Sequence, residues 1–325
     1  MRLTHRHLHL LEKVQVQLAA VAAVALVYFA LWPVLRPSDP CDPLVLVAGG
    51  TLRSTAVFAG VLWFLAAACA VVTVSARPEG ALMAGVLGAG GASLRSAQMR
   101  GLLWTWDGPL AGVFPWLIAE LALLAALLLV AAGIVDVVRR LIAIVRPGWV
   151  RRTAPVLSGR GGDDRPAPAT LLGLFGPRGD GGDAARTRTA RATAARSLAA
   201  AGAALAVGVV LVLLLLRSPD RGQILFALVA AFLLAALAAH QAFPTVRSVV
   251  ILCVPIVAGA GFYLLSGVQS PDQPEAWKLL PHYARILPAD WLTGGCGGAL
   301  IGYWMSERIN EMRHLEQRRE GSAAA

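Results

Sequence analysis

The chain has 325 residues, 57% hydrophobic and only 15% charged, with a mean hydropathy of +0.65 and a formal net charge of +10. Soluble globular domains are nearer a quarter charged, so this composition excludes a single core wrapped in a water-facing surface; lipid must solvate much of the apolar set. Lys13 and Lys278 are the only lysines, so arginine carries the basic excess, which in a membrane protein marks cytoplasmic loops and is no argument for a nucleic-acid partner. The arginine-for-lysine skew, with abundant Ala, Gly and Pro, suggests a GC-rich bacterial genome.

In chain order, the segment from Met1 to Lys13 is basic and precedes an apolar run ending in Trp32-Pro33-Val34-Leu35. No small-residue cleavage site follows the run, so an uncleaved signal anchor is expected over a cleaved signal peptide. A helix needs about 20 apolar residues to cross the hydrocarbon. Six runs meet that length, near 14–35, 55–76, 109–135, 198–216, 222–241 and 249–267. Helix is expected in each, because an unclosed strand in lipid leaves its backbone polar groups unsatisfied. Two shorter, glycine-rich segments, 80–94 and 291–306, either cross or are re-entrant.

Charge decides between these. The stretch 136–197 carries 12 Arg against 5 Asp. Arg139, Arg140, Arg146, Arg151, Arg152, Arg178, Arg186, Arg188, Arg191 and Arg196 lie close enough to a span end for the positive-inside rule to act. This loop and the basic N-terminus are therefore expected in the cytoplasm. An even number of crossings must separate them, which makes 80–94 a span. The arginines of 307–320 place the tail inside as well, and 291–306 becomes the eighth helix. Trp32, Trp104, Trp106, Trp277 and Trp291 then fall together at the outer interface, as an aromatic belt does.

The expected fold is all-α: a polytopic bundle of about eight transmembrane helices in two four-helix groups, both ends in the cytoplasm. Residues 1–135 hold helices 1–4, and 136–197 form a basic cytoplasmic loop. Residues 198–306 hold helices 5–8, and 307–325 form a cytoplasmic tail. Within the loop, 136–152 reads as a basic amphipathic continuation, 153–183 as Gly/Pro-rich linker, and 184–197 as a helix entering the fifth span. Its arginines suit a solvated hinge or a contact with anionic lipid at the cytoplasmic face. No aromatic residues interleave with those of 184–197 to stack bases.

Few residues carry chemistry. Glu120 lies about 11 residues into the fourth span, where lipid penalises a charged carboxylate. It should face the bundle or a wet cavity, as a proton or ion site or as a group holding helices together. Gly294, Gly298 and Gly302 recur every four residues, and Gly85 and Gly88 sit within the small-residue pattern of the third span. Such faces let helices approach closely, and the two short helices are expected to pack near each other. Arg95 and Arg100 follow the third span on the outer side, against the loop bias, and are candidates for an anion or lipid-headgroup contact or for snorkelling. His282 and Arg285 lie in an outer segment between prolines.

No metal site is expected. His5, His7 and His9 lack a third ligand, and the four cysteines form neither a disulfide framework nor a zinc spacing. His240 has no second intramembrane histidine for paired haem ligation, Asp136 has no partner aspartate, and no P-loop, H-E-x-x-H or G-x-S-x-G motif occurs. No cofactor is implied. The sequence thus reads as a multi-pass protein of a bacterial cytoplasmic membrane. The leading expectation is a non-enzymatic structural or assembly subunit, alone as a homo-oligomer or with other membrane subunits. The alternatives are a transporter or channel using Glu120, and a lipid-processing enzyme with an outer-face site.

Overall fold

In the computed structural model, residues 5–37, 39, 42–47, 51–146, 183–244, 246–270 and 276–323 are described. All regular structure among them is helical. Helix α1 runs from His5–Ala25 through a π-helical stretch, Leu26–Leu31, into Trp32–Leu35. There follow α2 (Leu52–Val72), α3 (Pro78–Arg95), a short α4 (Met99–Thr105), α5 (Val113–Val145), α6 (Asp183–Leu215), α7 (Arg221–Ala242) and α8 (Ser248–Gln269). Helix α9 begins at Pro288–Asp290, passes through π-helical Trp291–Cys296 and continues as Gly297–Ala323.

Six stretches are long and apolar enough to cross a membrane: Glu12–Leu35, Leu52–Val72, Leu110–Val145, Ala194–Leu215, Arg221–Ala242 and Ser248–Gln269. They coincide with the six long runs read from the sequence and point to a multi-pass membrane protein. Their outward faces agree. Phe29, Phe64, Phe226 and Leu264 are each more than half exposed, which suits lipid and not water.

The two glycine-rich segments do not reach that hydropathy, and the packing explains why. Thirteen of the 18 residues of α3 are buried, so its surface is protein and not lipid. The start of α9 is the same: every residue from Pro288 to Leu300 is buried. A helix enclosed by other helices gains nothing from large apolar side chains and much from small ones.

The chain divides into two compact units, with the boundary inside α5. One comprises Met1–Ala97 and Ala122–Gly181, the other Gln98–Leu121 and Gly182–Ala325. In the first, α3 packs against both α1 and α2. Local sequence sets its ends: Pro78 opens it and Glu79 lies in its first turn, with Arg95 in its last, matching the helix dipole. A capping box between Thr51 and Ser54 starts α2, with bonds of 3.0 and 3.2 Å. Gln15 of α1 bonds the Val72 carbonyl and accepts from Ser75.

In the second unit, α7 packs against α6 and α9, and the start of α9 packs against α7 and α8. Two helix irregularities meet there. Pro255 lies inside α8 and removes a backbone donor. A Cβ on Gly295, in the π-helical stretch of α9, would stand 2.8 Å from the Pro255 ring, and Cys296 Sγ donates to the Leu252 carbonyl at 3.4 Å.

Two expectations change. Residues 136–145 do continue the helix of the fourth span, α5, but Arg139 is a buried residue and not a solvated one. Trp291 is fully buried, in an aromatic cluster with Phe262 and Phe232 at 5.7 and 6.0 Å, so it is core and not interfacial belt. Residues 184–197 are helical as expected, within α6. The linker reading of 153–183 falls almost wholly outside the described residues, as do Cys41 and the side chains of His5, His7 and His9.

Candidate functional site

Glu120 lies about two turns into α5 and is fully buried. Leu121, beside it, packs at the place where Gly259 of α8 meets the Trp291 ring. Tyr263 of α8 lies one turn further along and is also fully buried, within electrostatic range of both Glu120 and Asp290. Its hydroxyl donates to the Ile286 carbonyl at 2.6 Å.

Asp290 completes this cluster, and it lies just outside the 291–306 segment read from the sequence. It is fully buried. One carboxylate oxygen accepts from the Leu287 N–H at 3.1 Å and from Arg221 at 3.2 Å, and the other lies 3.1 Å from the same guanidinium. Asp290 sits in the first turn of α9, after Pro288, and Arg221 opens α7. The signal was available: Pro followed two residues later by an acid is a helix start, and an acid there complements the helix dipole. The cluster therefore holds two buried carboxylates, one guanidinium and one phenol, contributed by α5, α7, α8 and α9.

At the other end of α7, His240 Nδ1 lies 2.8 Å from Ser306 Oγ. A serine beside a histidine is the minimum of a nucleophile and base. Here Ser306 also accepts from the Gln241 amide at 2.7 Å, its carbonyl accepts from the same amide at 3.1 Å, and it is fully buried. The His240 ring packs against the Tyr303 ring at 4.4 Å, tilted by 55°, and the Tyr303 hydroxyl donates to the Val246 carbonyl at 3.2 Å. The arrangement clamps α7 to α9.

The glycines sit where backbones approach. A Cβ on Gly298 would lie 2.5 Å from the Val229 carbonyl oxygen, and one on Gly302 would strike the Leu233 oxygen. Gly294 faces Leu228 at 3.2 Å. In the first unit, Gly88 meets Ala23 at 2.6 Å and Gly85 meets the Ala66 backbone at 3.3 Å. Each small-residue face is thus filled by a helix of its own unit.

Arg95 donates to the Tyr28 carbonyl at 2.9 Å and lies over the Tyr28 and Trp32 rings at 5.1 and 5.6 Å. The carbonyl belongs to the π-helical stretch of α1, where the regular ladder is displaced. Arg139 plays a similar part, donating to the Thr73 carbonyl at 3.3 Å and the Ala76 carbonyl at 2.7 Å, with Glu79, Asp136 and Glu12 in electrostatic range.

Arg100 belongs to the second unit, where it lies over the Trp277 ring at 5.0 Å. Lys278 lies over the same ring at 5.6 Å. Arg285 donates to the carbonyls of Trp277, Lys278 and Leu280 at 3.3, 3.0 and 3.1 Å. Burial, followed by the like charge of Arg100, lowers the Arg285 pKa from its ordinary value.

Among the described residues, no group of three or more His, Cys, Asp or Glu is placed to hold a metal ion. Cys69 and Cys296 are buried free thiols, and Cys253 is an exposed one. The chain matches no protein-family model, and no match is found to it among curated proteins or solved structures.

Proposed function

We propose that this chain is a non-enzymatic structural or assembly subunit of a complex in a bacterial cytoplasmic membrane. In this reading it crosses eight times in two four-helix groups, with both ends in the cytoplasm. The observation that carries it is the use made of the buried polar side chains. Arg139 binds backbone carbonyls, Tyr263 binds another, and Asp290 binds a backbone N–H and Arg221. Each ties a helix end or a connecting segment in place. Buried polar groups used this way hold a helical arrangement together, which is what a structural subunit requires.

Eight crossings are supported by the length of α3, whose 18 residues span about 27 Å, and by the continuous course of α9. Reporter fusions after Ser96 and after Gly108 test this directly. Both should read as external, and a cytoplasmic signal at either would remove α3 as a crossing. The functional reading is tested by the mass and composition of the particle released gently from native membranes. Partners in fixed ratio support it. A chain that runs alone or as a small homo-oligomer counts against it.

One observation favours a second reading. Glu120 is fully buried, with Tyr263 in range of it and of Asp290, which is the placement of a proton or ion site in a transporter. Flux into liposomes that is lost in Glu120→Gln, with the particle intact, would decide for it.

A further inference from the structure

A cavity of about 400 Å³ opens beside the last turn of α6 in the second unit, within the size range of small-molecule sites. Its walls differ sharply. Leu213, in the last turn of α6, and Leu216, just past its end, form one side, where the apolar span Ala194–Leu215 stops. Lys278, His282, Tyr283 and Arg285 form the other, with Leu280 and Pro281 among them, and among the described residues no acidic side chain lines it.

The polar wall is held in place before any ligand arrives. Arg285 fastens the segment by its three carbonyl bonds. The Tyr283 hydroxyl donates to Gln269 at 2.6 Å, and its ring packs on Phe262 at 5.0 Å, tying the wall to α8. Arg100 and the lining residue Lys278 both lie against the Trp277 ring. Basic side chains on a preformed polar wall favour an anionic group.

We propose that this cavity binds the phosphate of an anionic lipid headgroup, with Lys278 and His282 facing the phosphate and the acyl chains lying along α6. The phosphate chemistry could equally come from a free phosphate ester. The apolar wall argues for the lipid: Leu213 and Leu214 are half exposed and continue the cavity along the span. The inference requires only that Ala194–Leu215 crosses the membrane. It is independent of the subunit role and of which side this end faces.

The test uses the full chain in mild detergent, with lipids counted by native mass spectrometry. Phosphatidylglycerol should be retained at one copy per chain, at least about tenfold more tightly than phosphatidylcholine. Lys278→Gln with His282→Gln should remove that preference while the melting temperature holds. Leu213→Trp, at a half-exposed position, should block the lipid without touching a charge. An unchanged preference in the double variant overturns the site. Inorganic phosphate or glycerol phosphate that competes fully, with Leu213→Trp having no effect, overturns the lipid assignment in favour of a soluble phosphate.

Discussion

Arg221 and Asp290, the opening residues of two different helices, form an ion pair at 3.1 Å with the carboxylate fully buried and the guanidinium 13% exposed. A pair of this kind is costly to break from one side, because it leaves a charge without its counter-charge. Asp290→Ala should therefore destabilise the chain by about 3–5 kcal/mol. Replacing both partners, Arg221→Met with Asp290→Leu, should recover a substantial part of that loss. Thermal denaturation in detergent, read by the retained monodisperse fraction, measures both. A double variant no better than Asp290→Ala would show that Asp290 acts mainly through the Leu287 N–H.

That pair also shows where sequence reading stops. Six long spans were legible because apolar length alone defines them, and they return as the six apolar helices. Glu120 was legible because a carboxylate inside such a run has few places to point, and it is fully buried. Asp290 was not, because hydropathy assigns a residue beside a Pro-rich segment to water, and only the three-dimensional course of α9 brings it inside. Tyr263 was missed for the opposite reason: a tyrosine within an apolar run is ordinary until the fold buries it within electrostatic range of two acids. The arginines were read by number and not by position. Arg139 bonds backbone carbonyls inside the protein, while Arg146, seven residues on, is exposed.

The close approach of α9 to α7 predicts a sharp contrast among glycines. A Cβ at Gly302 would strike the Leu233 carbonyl oxygen, whereas nothing lies within 4 Å of one at Gly202 or Gly261. Gly302→Ala should lower stability, because the backbones must separate. Gly202→Ala and Gly261→Ala should each raise it by about 0.5–1 kcal/mol, through helix propensity alone. Melting temperatures of the three single variants, side by side, give the signs. A Gly302→Ala chain as stable as the parent would mean that α7 and α9 can move apart freely.

Arg139 offers a second contrast. Its two terminal nitrogens reach the carbonyls of Thr73 and Ala76, and a lysine has no fork with which to repeat that. Arg139→Met should cost about 3 kcal/mol or more, and Arg139→Lys should recover only part of it. Arg146→Gln, at the exposed end of the same helix, should change stability by less than about 0.5 kcal/mol. Equal effects at 139 and 146 would place Arg139 on the surface.

Tyr263 and Glu120 separate the two functional readings. Tyr263→Phe removes one buried hydroxyl and leaves the Ile286 carbonyl without its donor, at about 1–3 kcal/mol. Glu120→Gln keeps the size and shape of the side chain and retains hydrogen-bonding capacity. Glu120→Leu removes that capacity altogether. In a subunit whose buried polar groups hold helices, stability should fall in the order parent, Gln, Leu, and association with partners should follow stability. In a transporter, Glu120→Gln should abolish flux while leaving stability and association near those of the parent. The two results cannot both occur in one variant, so flux and particle composition measured together on Glu120→Gln assign the residue. The structural reading expects Glu120→Gln to lose association in step with stability, with no change in flux.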